Sequence, residues 1–457
     1  VGIEERESMD TQKQTILKSS IFGEKLAYYN STGTAISFPD SLYVNPGDFS
    51  LSPQGITSFL SFRHPIGDWT MFNEIKKVPC GAEVKDGKQR YYWYPRFGRA
   101  SVSLEEALDT IESLLLKAIK KIADNKAIAI PLSGGVDSSM VVALCRKLYP
   151  DRKIGTYSAG FYGDDEFEYA RLVAKLFKTA HKERVLGRED YIGKNSLLKP
   201  LIRLKGAPLH PNEIALAAVE VMAKEDGYEI AICGEGSDDI FGGYGQNLRM
   251  YLNYDGRKPF FEYFLDNYRY IEKSVRSKMV REDYLCDDYK LLMKAMVDEE
   301  IPSDIENKVF YFIQKIHTPG LIIRGINAMN FAGLEPGFPY ANNELVDFVN
   351  SLPFDYKVRW KSAEHKKMAD GMYFRDITEK LDTPKFILKK LAEKYLPSQV
   401  IYRTKHGFPV PFDKWLGDIK VWPLNQEVFL SNDISSLKGW EKFMLINLNA
   451  FTEVFSG

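Results

Sequence analysis

The stretch Ala127-Ile128-Ala129-Ile130-Pro131-Leu132-Ser133-Gly134-Gly135-Val136-Asp137-Ser138-Ser139 passes from an apolar run into a loop of small residues and on into a helix. A short, continuous apolar run is what a strand covered on both faces requires. Small residues let the following backbone close tightly around an anion, and the helix start adds unpaired N–H groups and a favourable dipole. A plain strand-to-helix turn with a Ser cap would explain Gly-Gly alone. The whole string after a buried strand points to nucleotide binding, with Leu132, Ser133, Gly134, Gly135, Val136, Ser138 and Ser139 as the cradle. Asp137 would repel phosphate unless it holds Mg²⁺, which takes oxygen ligands and bridges to phosphate. No Gly-Lys-Ser/Thr follows, so this is not a Walker loop.

Outward from this loop the pattern alternates. Helices are predicted at Met140–Leu148, Glu166–Phe177 and Glu213–Lys224, and strands at Ile154–Gly160, His181–Leu186 and Glu229–Cys233. Such alternation implies an α/β fold with a doubly wound parallel sheet. The last strand runs into Gly234-Glu235-Gly236-Ser237-Asp238-Asp239-Ile240-Phe241-Gly242-Gly243-Tyr244. Ligands bind outside the carboxyl ends of parallel strands, so this acidic loop is expected to face the first. A solvated acidic turn would not need four glycines. Residues from about 248 onward read as mainly helical. Upstream, Lys25–Tyr29, Thr34–Phe38, Ile56–Arg63, Ala82–Lys85 and Gln89–Trp93 read as short strands of an antiparallel unit, with a hairpin turn at Asp86-Gly87. A helix is predicted over Leu104–Ile122, opened by a capping box of Ser103 and Glu106.

The 457 residues suggest two or three domains at roughly 150 residues each. Basic and acidic residues number 61 and 62, and a net charge of -1 gives no general attraction to nucleic acid or anionic membrane. Residues 1–18 are polar and charged, without the apolar core of a signal peptide, and no run approaches the ~18 apolar residues that span a bilayer. Cys80, Cys145, Cys233 and Cys286 are scattered, which fits reduced thiols in a cytoplasmic protein rather than a zinc site or a disulfide framework.

Taken together, the two loops and the segment Arg403-Thr404-Lys405-His406-Gly407-Phe408-Pro409-Val410-Pro411, with Trp415 beyond it, resemble the asparagine synthetase family. The resemblance covers about residues 120–420 and implies an adenine nucleotide α-hydrolase-like sheet with a helical C-terminal region. It also implies ATP and Mg²⁺ as cofactors. Gly234, Gly236, Ser237 and Ser158 would join the cradle, and Asp137 and Asp238 would hold the metal. Glu235, Lys405 and Glu335 would be catalytic. Phe59-Leu60-Ser61-Phe62 through Val78-Pro79-Cys80-Gly81 resembles the end of the family's glutaminase unit. This divides the chain into a truncated glutaminase-like β domain, 1–102, and a synthetase domain, 103–457.

Two features depart from the family pattern. The chain opens Val1-Gly2-Ile3, without the N-terminal Cys that hydrolyses glutamine, so it is expected to lack glutaminase activity. The family's Glu-x-Arg-x-Pro-Phe-Leu-Asp reads Glu335-Pro336-Gly337-Phe338-Pro339-Tyr340-Ala341-Asn342 here, which puts aspartate in question as the substrate. The expected reaction is adenylation of a small-molecule or peptide carboxylate, release of pyrophosphate, and amide formation with ammonia or another amine. Ammonia would be free or supplied by a separate glutaminase, and the chain would work as a homodimer, with neither nucleic acid nor membrane as partner. The alternatives are a cyclase that uses a substrate amine, a catalytically silent nucleotide-binding scaffold, and a sulfur- or tRNA-directed pyrophosphatase.

Overall fold

Five parallel strands form the centre of the computed structural model: β1 (Ile128–Pro131), β2 (Ile154–Phe161), β3 (Ala180–Leu186), β4 (Ile230–Ile232) and β5 (Glu335–Gly337). Their order is β5-β4-β1-β2-β3. The chain therefore steps from β1 to one side and later returns to the other, which creates a switch point between β1 and β4. In a doubly wound sheet a ligand crevice opens there, beyond the carboxyl ends of the strands. The structure describes residues 16–40, 42, 49–98, 100–163, 165–297, 300–405 and 407–455. Most of the polar N-terminal segment, 1–15, and His406 lie outside the described residues.

The strands are apolar because both faces are covered: Ile128, Ala129 and Ile130 are all fully buried. The helices are α1 (Leu104–Ala123), α2 (Val136–Leu148), α3 (Phe167–Leu176), α4 (Glu213–Glu225), α5 (Thr318–Ala332) and α6 (Gly439–Phe455). α1 opens with the predicted capping box, Ser103 and Glu106 each accepting from the other's backbone N–H. It buries Ile111, Leu115 and Ile119. α4 packs between β2 and α5. α5 does not start afresh. Helix Ile305–Phe312 runs through a π turn at Ile313–His317 directly into it. The Thr318 hydroxyl donates to the Ile313 carbonyl (3.0 Å), and His64 Nε2 reaches the Ile316 carbonyl (2.8 Å). The Ile313 carbonyl also accepts the Thr318 N–H, five residues on, as a π turn requires.

Upstream, two three-stranded antiparallel sheets form, one from Leu17–Lys18, Ala82–Lys85 and Lys88–Tyr91, the other from Tyr28–Asn30, Ala35–Ile36 and Ile75–Lys77. The Asp86-Gly87 hairpin turn is present, with φ of 49° and 71°. The predicted strand Ile56–Arg63 is instead a helix, Pro53–Phe62. The Ser52 hydroxyl accepts from the Gly55 N–H, Pro53 takes the first turn, and every residue from Gly55 to Phe62 is buried. A helix buried all round shows no amphipathic period, so its apolar run reads as a strand. Ile56, Phe59 and Leu60 share one apolar cluster with Phe412, Phe443 and Phe451, which joins this helix to the C-terminal helices. Among the described residues no helix is long and apolar enough to cross a membrane.

Candidate active site

β1 ends in the small-residue loop, and α2 leaves it. Gly134 turns the chain at φ 70°, where a Cβ would lie 2.6 Å from the Ala170 nitrogen; only glycine fits. The Ser133 and Ser138 hydroxyls meet at 3.1 Å, Ser138 Oγ accepts the Ser133 N–H, and Ser133 Oγ accepts the Gly135 N–H. Gly135, the residue before α2, receives no side-chain cap, so the helix start is left for an anion. The Ser158 hydroxyl on β2 donates to the Leu132 carbonyl and fixes the strand end. β4 ends in the acidic loop, which comes close enough that a Cβ on Gly234 would sit 3.0 Å from the Ser138 nitrogen. The two loops are bolted together by the Ser237 hydroxyl, which donates to Asp137 Oδ1 at 2.6 Å.

At the centre stands a residue that sequence reading did not single out. Lys385, almost fully buried, places its ammonium between the carboxylates of Asp137 and Asp238, 2.8 Å from the latter. The backbone at Lys385 takes φ 55°, an unfavourable left-handed conformation for a lysine, set between the strand Asp382–Pro384 and the helix Phe386–Ala392. Gly243 makes room: a Cβ there would fall 2.3 Å from Lys385 Cε and 1.7 Å from Asp238 Oδ1. Lys405, from the C-terminal segment, donates to the same Asp238 oxygen at 2.7 Å. Burial alone would raise the Asp238 carboxyl, but Lys385 and Lys405 outweigh it and hold it well below the usual carboxylate range. Burial likewise works against the Lys385 ammonium, and Asp137 and Asp238 overcome it.

Further along the cleft, Glu235 forms an ion pair with Arg324 of α5. Arg324 Nη1 also reaches His210 Nδ1 at 3.3 Å. Burial, then the charge of Arg324, pushes His210 well below its ordinary value, so the ring is neutral at pH 7. Arg403 pairs with Glu166 and lies over the Tyr169 ring, 4.6 Å from its centroid. Tyr340 donates to the Asp137 carbonyl at 3.2 Å.

The cavity these groups enclose is about 320 Å³, and Leu132, Ser133, Gly135, Val136, Asp137, Ser138, Ser158, Gly234, Glu235, Asp238 and Lys405 line it. Gly134, Gly236 and Ser237 shape its loops from behind. Ser139 is fully buried inside α2 and does not line the cavity. Glu335 requires a larger correction. It begins β5, paired with Ile230 at the amino end of β4, and forms a 2.6 Å ion pair with Lys126 just before β1. That is the opposite edge of the sheet from the cleft, so Glu335 cannot act on a ligand bound there.

Asp137 and Asp238 are the carboxylates that could hold Mg²⁺, which takes one or two carboxylates and otherwise phosphate and water oxygens, but a bound ion would have to share them with the ammonium groups of Lys385 and Lys405. The rest of the cleft suits a polyphosphate: a helix start, Lys385, Lys405 and Arg403.

A family model described as asparagine synthase matches residues 110–443. Asparagine synthetase [glutamine-hydrolyzing] 1 of Bacillus subtilis is 24% identical over 450 residues, covering 88% of this chain and 67% of that protein. A putative asparagine synthetase [glutamine-hydrolyzing] 1 of Methanocaldococcus jannaschii is 22% identical, covering 66% of this chain and 49% of its own length. A third, asparagine synthetase [glutamine-hydrolyzing] 3 of B. subtilis, is 22% identical, with 74% and 55% covered. The chain thus spans about half to two thirds of the length of these relatives.

Proposed function

Because the chain belongs to the asparagine synthase family, we propose that it is an ATP-dependent carbon–nitrogen ligase that activates a carboxylate as its adenylate, releases pyrophosphate and forms an amide with ammonia or another amine. The observation that carries this reading is the meeting of four separate segments around one pair of carboxylates. Asp137 from the β1 loop, Asp238 from the β4 loop, and the ammonium groups of Lys385 and Lys405 all converge beside the start of α2.

Attack of a carboxylate on the α-phosphorus breaks the bond to the β-phosphate oxygen and builds negative charge on the departing pyrophosphate. The uncapped start of α2, Lys385 and Lys405 offer fixed positive charge where that develops. Asp137 and Asp238 would hold Mg²⁺, which when bound neutralises phosphate oxygens as a Lewis acid. Gly135 and Ser138 bind the phosphates, and Ser158 keeps the neighbouring strand end in place. Glu235, at the far end of the cleft, would accept the proton that the attacking amine sheds, with Arg324 orienting its carboxylate. Glu335 has no part in this scheme.

None of the four cysteines within these 457 residues is fitted to hydrolyse glutamine. Burial pushes the Cys80 thiol up to about 11 and the Cys145 thiol up to about 12, and it raises Cys233 and Cys286 as well. The 457-residue chain is therefore expected to release no glutamate from glutamine above a no-enzyme control. ATP–pyrophosphate exchange against a panel of carboxylic acids, including aspartate, glutamate, sugar acids and peptides, tests the adenylation itself. Absence of exchange with every acid and with peptide carboxylates would reject the reading.

A further inference from the structure

Among the described residues, five cations line the catalytic cavity: Arg324, Lys385, Lys389, Arg403 and Lys405. Four of them already have a carboxylate. Arg324 pairs with Glu235, Lys385 with Asp137 and Asp238, Arg403 with Glu166, and Lys405 with Asp238. Lys389 is different. It is only 9% exposed, yet its ammonium makes no ion pair or hydrogen bond among the described residues. The Tyr402 ring stands 6.0 Å away, at the limit of cation–π attraction. Burial, and then the charge of Lys385, draw Lys389 below the ordinary lysine value. Glu379 attracts it without reaching it, and the Glu379 carboxylate already accepts the Lys405 N–H at 3.0 Å. A nearly buried cation without a counter-ion is costly, so a fold that keeps one on a cavity wall keeps it for an anion.

The position of Lys389 says which anion. It belongs to the helix Phe386–Ala392, and its N–H donates to the Lys385 carbonyl at 2.9 Å, so it stands one turn beyond Lys385 on the same side. That helix packs on α1, α2 and the short helix Ser237–Phe241. The apolar part of the cavity wall lies elsewhere, at the carboxyl end of β2, where Phe161 meets Phe167 of α3 and Leu216 and Val219 of α4. A nucleotide whose base rests on that apolar wall lays its phosphates across the start of α2. The chain of phosphates then runs towards Lys385 and, one turn further, Lys389.

Resting on the ligase reading above, we infer that Lys389 is the counter-ion of the terminal phosphate of the nucleoside triphosphate, and therefore of the pyrophosphate that departs. The nearer phosphates are served by the start of α2, Lys385 and Lys405. Only a third phosphate reaches Lys389, so this residue sets the preference for a triphosphate over a diphosphate.

Calorimetric binding of α,β-methylene-ATP, α,β-methylene-ADP and inorganic pyrophosphate to the full chain, with Mg²⁺ in excess and no carboxylate present, tests this. Lys389→Met keeps the length and removes the charge. It should weaken the triphosphate analogue and pyrophosphate at least about tenfold, and the diphosphate analogue less than about twofold. Lys389→Arg should recover most of the loss. Because the empty site carries an uncompensated ammonium, the Met variant should melt higher than wild type without ligand and gain less from the triphosphate analogue. A lysine that merely supports the fold would make that variant melt lower, which would overturn the assignment. So would equal losses for the two nucleotides, undiminished binding of all three ligands, or a loss confined to the KM of the carboxylate. Pyrophosphate exchange separates this inference from the reading it rests on. Exchange without the discrimination at Lys389 rejects Lys389 alone, and the discrimination without exchange for any acid rejects ligation alone. A wild-type chain that binds no nucleotide defeats both.

Discussion

β4 and β5 lie side by side and parallel, and each carries an acidic motif, yet the motifs do different work. At β4 the acids follow the strand, so Glu235 and Asp238 emerge at its carboxyl end into the cleft. At β5 Glu335 precedes the strand, so it meets Lys126 at the amino edge, with more than half of its side chain exposed. The direction of a strand decides which of its two ends is chemistry and which is scaffold. The cleft end is dense with buried, mutually compensating charge. The other end has an ordinary surface pair.

Four kinds of change would sharpen or break this contrast. The largest effect is expected at Asp137→Ala and Asp238→Ala, each lowering pyrophosphate exchange at least about a hundredfold, several kcal/mol of charge stabilisation. Near-normal exchange in either would remove the cleft end from the chemistry. Lys405→Met should follow, reducing turnover tenfold or more, roughly, while affinity for a non-hydrolysable ATP analogue changes little. Equal losses in both would make Lys405 a ground-state phosphate ligand.

The third change concerns pH. Asp239 is fully buried and its Oδ1 accepts from the Thr318 hydroxyl at 2.6 Å. Burial, only partly offset by that hydroxyl and reinforced by Asp238 and Glu235, pushes its carboxyl up to about 7 from an ordinary 3.8. Between those values the folded chain holds a proton that the unfolded chain has lost, so stability falls as pH rises toward 7. Asp239→Asn should flatten that fall, with its melting advantage over wild type smallest at pH 4 and below and greatest at pH 8. Parallel curves for the two proteins would show that Asp239 is not the titrating group. The smallest effect belongs to Glu335→Gln, within about 0.5 kcal/mol in stability and with unchanged turnover, as exposed ion pairs behave. A large loss of exchange in this variant would overturn the contrast outright.

What could be read from the sequence follows from how local each signal is. The alternation from Ala127 to Cys233 predicts the sheet because strand burial and helix periodicity are written within short windows. Ser103 and Glu106 announce α1 because a capping box spans only four residues. The Pro53–Phe62 helix escaped because burial on every side erased its period, although Ser52-Pro53 was a usable start signal. Lys385, Arg324 and His210 were invisible for a different reason. Each matters only through partners more than eighty residues away, and Lys385 sits among other lysines that give it no distinction. Glu335 failed in the opposite sense, since a matching letter in a motif does not say which end of a strand it occupies.

The π turn at Ile313–His317 makes the alignment of the cleft depend on counting. One residue more than an α-helix needs is housed there, and everything beyond it is set by that surplus. Removing a single residue, for instance Lys315, would let the run close up as ordinary α-helix and turn α5 by about 100° relative to the preceding helix. Arg324 would then swing away from Glu235 while the hydrophobic composition of the chain stayed almost the same. A substitution series cannot reproduce that fault. The helix acts as an indexed shaft, and one missing tooth would misplace the far end of the active site without touching any residue in it.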